Sequence, residues 1–201
     1  MFVVLTRLIV TLILAASPLY ASQIIATTGY ANSERPKANG IVVDRLFGDG
    51  GGYAFGLRVD MDSPLFYYGP SFFFWNNVTG DPDPGRNSTY FQIELGGRLS
   101  VRTHTLPALY AGLGAGYTIA HGDIKPRYAG LGYDESFDGE FPTASIHIGA
   151  KTPSRTTGLG VIAEASYHFG LDEPSGMTTI GPAKAWTIQI GIAFDTRFAR
   201  E

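Results

Sequence analysis

The chain of 201 residues contains no cysteine, which excludes a disulfide framework, thiolate metal sites and cysteine nucleophiles together. Charged residues make up only 16%, well under the roughly 25% of an average soluble domain. Fifteen Lys and Arg against eighteen Asp and Glu leave a formal charge of −3, so the clustered basic surface of a nucleic-acid binder is missing. Past the N-terminal segment no apolar run approaches the about 20 residues that cross a bilayer as a helix, which excludes a helical membrane bundle. What the chain has in quantity is glycine, at 26, and aromatics, with 13 Phe, 11 Tyr and 2 Trp. That aromatic content excludes disorder, and with the glycine it points to an all-β chain.

Residues 1–21 read as a secretory signal peptide. Arg7 is the only charge, Leu8 to Ala16 is apolar, and Ser17-Pro18-Leu19-Tyr20-Ala21 breaks the run before a small residue. The apolar stretch is too short to anchor the chain, so cleavage after Ala21 is expected. Residues 22–201 then form one domain.

The rest of the chain alternates with period two, which puts apolar and polar side chains on opposite faces of a strand. The segments are Tyr53 to Met61, Phe91 to Val101, Leu109 to Ile119, Ala144 to Lys151, Leu159 to Phe169 and Trp186 to Asp195. Two weaker segments, 22–32 and 65–75, bring the count to eight. In the first only Ile24, Ala26 and Tyr30 suggest an outward face, in the second both faces are apolar, and the phase of both stays open. The connections alternate as well. Those at 33–50, 76–88, 122–140 and 172–184 are long, while 62–64, 103–106 and 153–157 are tight. Outer-membrane barrels show this asymmetry, with short turns on one rim and longer loops on the other.

These two patterns together resemble the small eight-stranded outer-membrane barrels of the OmpA-transmembrane-domain, OmpX and OmpW type. The resemblance implies an all-β, eight-stranded antiparallel up-and-down transmembrane β-barrel. It also implies a location in the cell outer membrane of a Gram-negative-type envelope. As partners it implies outer-membrane lipids including lipopolysaccharide, the barrel-assembly machinery and periplasmic chaperones, with no nucleic acid and no cofactor. The family's C-terminal assembly signal, an alternating strand ending in an aromatic, is matched by Trp186, Ile188, Ile190, Ile192 and Phe194, with Phe198 beyond. Ala199-Arg200-Glu201 after the last Phe departs from that pattern.

The polar faces decide between a membrane barrel and a soluble one. They carry Gly96, Gly112, Gly114, Gly116, Gly149, Gly160 and Gly191 with few charges, which is too sparse and too small for a solvated exterior. Glycines facing a narrow lumen leave room for long neighbours instead. The inward charges are Arg58, Arg98, Arg102 and Lys151 against Asp60, Glu94, Glu164 and Asp195. An eight-stranded interior is just wide enough for side chains to fill. A balanced set is what such a space needs, since buried charges must pair. Arg102, Lys151 and Asp195 can equally sit at a wet rim, leaving Arg58, Asp60, Glu94, Arg98 and Glu164 as the lumen network. No pore of porin size is expected.

One constellation could carry catalysis: Ser145, His147, Glu164, Ser166 and His168. A simple hairpin at 153–157 places His147 opposite Glu164 and Ser145 opposite Ser166. Ser, His and carboxylate in hydrogen-bond reach is the arrangement that activates a nucleophile. The cluster invites comparison with the lipid A deacylase barrel, but that enzyme's His-x-Ser-Asn run is absent, and these residues point into the lumen. A hydrogen-bonded polar layer is the preferred reading. No metal site is expected: Asp123, Asp134, Glu135, Asp138 and Glu140 lack the regular spacing of a calcium loop and read as a solvated acidic connection. Tyr30, Tyr53, Tyr90, Tyr117, Tyr167 and Trp186 lie close to strand ends, as interfacial girdles require.

The function expected is that of a non-enzymatic outer-membrane barrel with a polar, side-chain-filled lumen and long extracellular loops serving surface interaction or membrane integrity. The alternatives are an acyl hydrolase using His147, Ser145 and Glu164, a carrier of small apolar compounds, and a soluble ligand-binding barrel. What the loops bind is not written in the sequence.

Overall fold

A computed structural model of the chain describes residues 23–33, 50–62, 66–78, 86–101, 107–124, 136–152, 158–171 and 184–196. The expected signal peptide, Arg102, Asp134, Glu135 and Phe198 lie outside the described residues. Eight strands run in order: β1 (Gln23–Ser33), β2 (Gly50–Asp62), β3 (Phe66–Val78), β4 (Arg86–Val101), β5 (Ala108–Ile124), β6 (Ser136–Lys151), β7 (Leu159–Gly170) and β8 (Lys184–Asp195). Each pairs antiparallel with the next, and β8 pairs with β1 from Gln23↔Asp195 to Ser33↔Ala185, so the barrel is closed and has no edge strand.

The alternation in the sequence becomes a two-sided wall. On β8 Trp186, Ile188, Ile190, Ile192 and Phe194 are exposed, while Thr187, Gln189 and Ala193 are buried. On β5 Leu109, Leu113, Tyr117 and Ile119 point out, and Tyr110 and Thr118 point in. Leu113 is 66% exposed although it lies mid-strand, whereas Arg98 on the neighbouring β4 is 0% exposed. Apolar outside and charged inside is the inverse of a water-soluble protein.

The two open phases are settled by this rule. On β1 Gln23, Ile25, Thr27 and Ala31 are buried, and Ala26, Thr28 and Tyr30 are exposed. On β3 Tyr67, Ser71, Phe73 and Trp75 point inward. Three aromatics, Tyr67, Phe73 and Trp75, therefore occupy the lumen, with Gly56 of β2 beside the Phe73 ring.

Three expectations are corrected. The β6–β7 register differs by one rung spacing, two residues, from a simple hairpin at 153–157: His147 lies opposite Ser166, Ser145 opposite His168, and Gly149 opposite Glu164. Strands β4, β5 and β6 are longer than the alternation implied, at 16, 17 and 16 residues. They absorb much of the expected loops, so Asp123, Asp138 and Glu140 lie on strands, and the β3–β4 connection shrinks to 79–85. Tyr90 faces the lumen and is fully buried, so it does not belong to the exterior girdle. Pro142 explains why β6 outruns β7. The last rung is Thr143↔Gly170, and beyond it Leu171 donates to the Pro142 carbonyl at 2.8 Å, a bond that Pro142 cannot return for lack of an N–H.

Candidate functional site: the filled lumen

Among the described residues polar and charged side chains concentrate in the lumen, where they stack in three tiers along the barrel axis. The tier nearest the rim of the chain termini is built by Gln23, Tyr67 and Lys151. Lys151 donates to Gln23 Oε1 and holds its ammonium 3.8 Å from the centroid of the Tyr67 ring. The rim reading of Lys151 as a solvated charge is thereby corrected: it is buried and engaged with both. Ile25, Tyr110, Ile162 and Ala193 pack beside it as a small apolar cluster.

The central tier holds all five residues of the expected charge network. Arg58 on β2 reaches Asp60 through Nε at 3.0 Å and crosses to Glu164 on β7 through a terminal nitrogen at 2.5 Å. Arg98 on β4 lies 3.5 Å from both Glu94 and Glu164. His147 on β6 links the two glutamates, with Nε2 at 2.8 Å from Glu94 and Nδ1 at 3.4 Å from Glu164. Four strands are thus tied through the middle of the barrel, and each charge has an opposite partner, as low-dielectric burial demands.

Two hydroxyls complete the tier. Ser145 donates to Glu94 and shares a 2.8 Å hydrogen bond with His147 Nε2, while Ser166 does the same with His147 Nδ1 at 2.8 Å and donates to Glu164 at 3.2 Å. Of the expected polar cluster, Ser145, His147 and Ser166 come together. His168 does not join this hydrogen-bonded set. Its ring lies in the third tier, against Trp75 at 5.1 Å, Phe73 at 5.0 Å and His147 at 5.9 Å between centroids, and neither ring nitrogen has a hydrogen-bond partner among the described residues. Trp75 stacks in turn on Tyr90 at 5.3 Å. This aromatic layer lies between the charges and the rim of the long connections.

The glycines of β5 make the packing possible. A Cβ at Gly112 would overlap Cγ of Arg98, and one at Gly114 would overlap the Glu94 carboxylate and the Ser145 hydroxyl. Arg98 and Glu94 of β4 lie over the bare β5 backbone.

Several lumen residues escaped the sequence reading. Tyr110 donates to Glu164 at 2.6 Å, and Gln92 donates to Glu94 at 3.0 Å. Thr27 donates to Gln189 at 3.3 Å. Tyr110 carried a signal: it shares the inward phase of Gly112 and faces Gly149, where a Cβ would meet its ring. Phe73 and Trp75 carried none, because both faces of β3 are apolar.

As chemistry, the central tier is a Ser–His–carboxylate arrangement buried among the described residues. Ser145, His147, Glu164 and Ser166 are each at most 4% exposed, and none faces the exterior. The exterior of β8 is continuous from Trp186 to Phe194, with Phe194 opposite Ile24 and Leu159 at the rim of the termini.

No sequence-family profile matches the chain, and a search of curated proteins gives no match. Solved structures do match in fold. Neisserial surface protein A superposes with a TM-score of 0.63 at 10% identity, covering 86% of this chain and 96% of its own. The outer-membrane protein AlkL in lipid bilayers gives 0.50 at 10% identity, covering 87% and 90%. Ail of Yersinia pestis gives 0.49 at 17% identity, covering 87% and 99%. The chain has the fold of the small eight-stranded outer-membrane barrels.

Proposed function

We propose that the chain is a non-enzymatic barrel of the cell outer membrane, exported by a cleaved signal peptide at residues 1–21. In this reading its own side chains close it to diffusion, and the rim opposite its termini faces outward for surface interaction or membrane integrity. The observation that carries this is the inversion of the wall: exposed Leu113, Ile148, Ile190 and Ile192 outside, and the Arg58–Glu164–Arg98–Glu94–His147 network inside. Outer-membrane lipids including lipopolysaccharide are the partners such an exterior requires, and the strand ending at Phe194 is offered to the barrel-assembly machinery and its periplasmic chaperones. Passage of small apolar compounds is disfavoured, because the route runs through paired charges.

An acyl hydrolase remains the second reading, favoured by the Ser145–His147 hydrogen bond and opposed by the burial of both residues. One preparation tests both. Residues 22–201 refolded in detergent should migrate differently in SDS with and without boiling, and should release no fatty acid from purified lipid A or phospholipid. Folding in plain buffer without detergent would overturn the membrane reading. Fatty-acid release that disappears in His147→Ala would establish the hydrolase instead.

A further inference from the structure

Seven of the eight strand joints have uninterrupted ladders over their described length, and the joint between β2 and β3 does not. Its rungs pass from Arg58↔Ser71 directly to Met61↔Tyr68, skipping the positions of Val59–Asp60 and Gly69–Pro70. The register on either side is the same, so this is a gap and not a bulge. Pro70 supplies the cause: it has no N–H to give the Val59 carbonyl across from it. A second gap lies nearer the long-connection rim, between Gly51↔Val78 and Ala54↔Trp75. There the Tyr53 N–H is taken by the side chain of Asn76, at 2.7 Å, in place of a backbone carbonyl. Behind the seam the inward positions include Gly56 and Gly69, which have no side chain to staple one strand to the other.

In the lipid-surrounded wall of the proposed function, a missing ladder bond is not replaced by water. We propose that the β2–β3 joint is a built-in release point, where the closed barrel opens locally toward the surrounding lipid, with Pro70 as its break. Opening there uncovers the Arg58–Asp60 pair, which lies directly behind the lower gap.

The test is hydrogen exchange, read amide by amide on the full chain in detergent micelles. The Leu57, Val59, Met61, Tyr68 and Phe72 amides should exchange roughly ten-fold faster than those that cross the unbroken β5–β6 joint within Ala111–Ala115 and Ile146–Ala150. Pro70→Ala, which restores a donor, should bring the first set down to the rate of the second. Pro142→Ala, which adds a donor at the end of the β6–β7 joint, should leave β2–β3 rates unchanged. Equal rates at the two joints in the unsubstituted protein would overturn the proposal, whether or not the variants fold. So would a Pro70→Ala barrel that folds and still exchanges fast at β2–β3.

Discussion

The Arg58 guanidinium on β2 and the Glu164 carboxylate on β7 meet at 2.5 Å across the lumen, on strands that are not neighbours in the wall. Nothing in the ladders requires these two strands to approach, so the pair reports how the interior is filled. Glu164 also accepts from Tyr110 and Ser166, which makes it the most connected group of the central tier. Glu164→Gln keeps the shape but leaves Arg58 short of a counter-charge in a buried site. A cost of about 3–5 kcal/mol is expected, seen as a lower urea midpoint for the refolded barrel. Arg58→Met combined with Glu164→Leu should cost less than the sum of its single variants, because each substitution removes a charge that the other would leave short of a partner.

The β5 glycines give a prediction with a steric origin. Gly114→Val places a branched side chain where Glu94 and Ser145 meet, among groups whose positions are fixed by hydrogen bonds. Overpacking of this kind typically costs about 1–3 kcal/mol, and here it also separates a charge from its partners. Gly114→Val should therefore refold poorly and lose its heat-dependent mobility shift. Ala115→Val, one residue away on the exposed face, should refold as the unsubstituted chain does.

An outward charge separates a lipid-facing wall from a watered one. Leu113→Arg lies mid-strand at an exposed position and should cost about 2–4 kcal/mol in lipid vesicles. Tyr53→Arg, nearer the long-connection rim, should cost about 0–1 kcal/mol there. Equal and negligible costs at both sites would show that this surface faces water.

How much of this was legible beforehand follows the chemistry of each strand. Strands β2, β4 and β7 alternate between apolar and small or polar residues, so their inner faces were readable, and Arg58, Asp60, Glu94, Arg98 and Glu164 followed. β3 is apolar on both faces, so alternation could not show that Phe73 and Trp75 turn inward. Register is a different matter. A one-rung difference at the 152–158 turn keeps every residue on its face, so alternation could not tell His147 opposite Glu164 from His147 opposite Ser166. The lengths of β4 to β6 were hidden because their outer ends read as loop: Arg86, Asn87 and Ser88 on β4, Gly122 and Asp123 on β5, and Asp138, Gly139, Glu140 and Pro142 on β6.

The two tryptophans provide the most direct test of inside and outside. Trp75 is 1% exposed and stacked between Tyr90 and His168 in the lumen, while Trp186 is 37% exposed on the wall and packs against Tyr30 at 5.6 Å. They are the only tryptophans in the chain, so single Phe substitutions isolate each emission. In vesicles of brominated phospholipid, Trp75→Phe leaves Trp186 as the reporter, and its fluorescence should be strongly quenched. Trp186→Phe leaves Trp75, which the barrel wall shields, and quenching should be slight. Trp186 lies on β8 near the end of the strand that begins at Lys184, at the rim of the long connections. Bromines placed near the headgroup should therefore quench it more than bromines at the chain ends, as an interfacial ring requires. Strong quenching of Trp75 with little of Trp186 would mean that β3 and β8 present the opposite faces to lipid. The charged lumen would then have to be reassigned as an exterior.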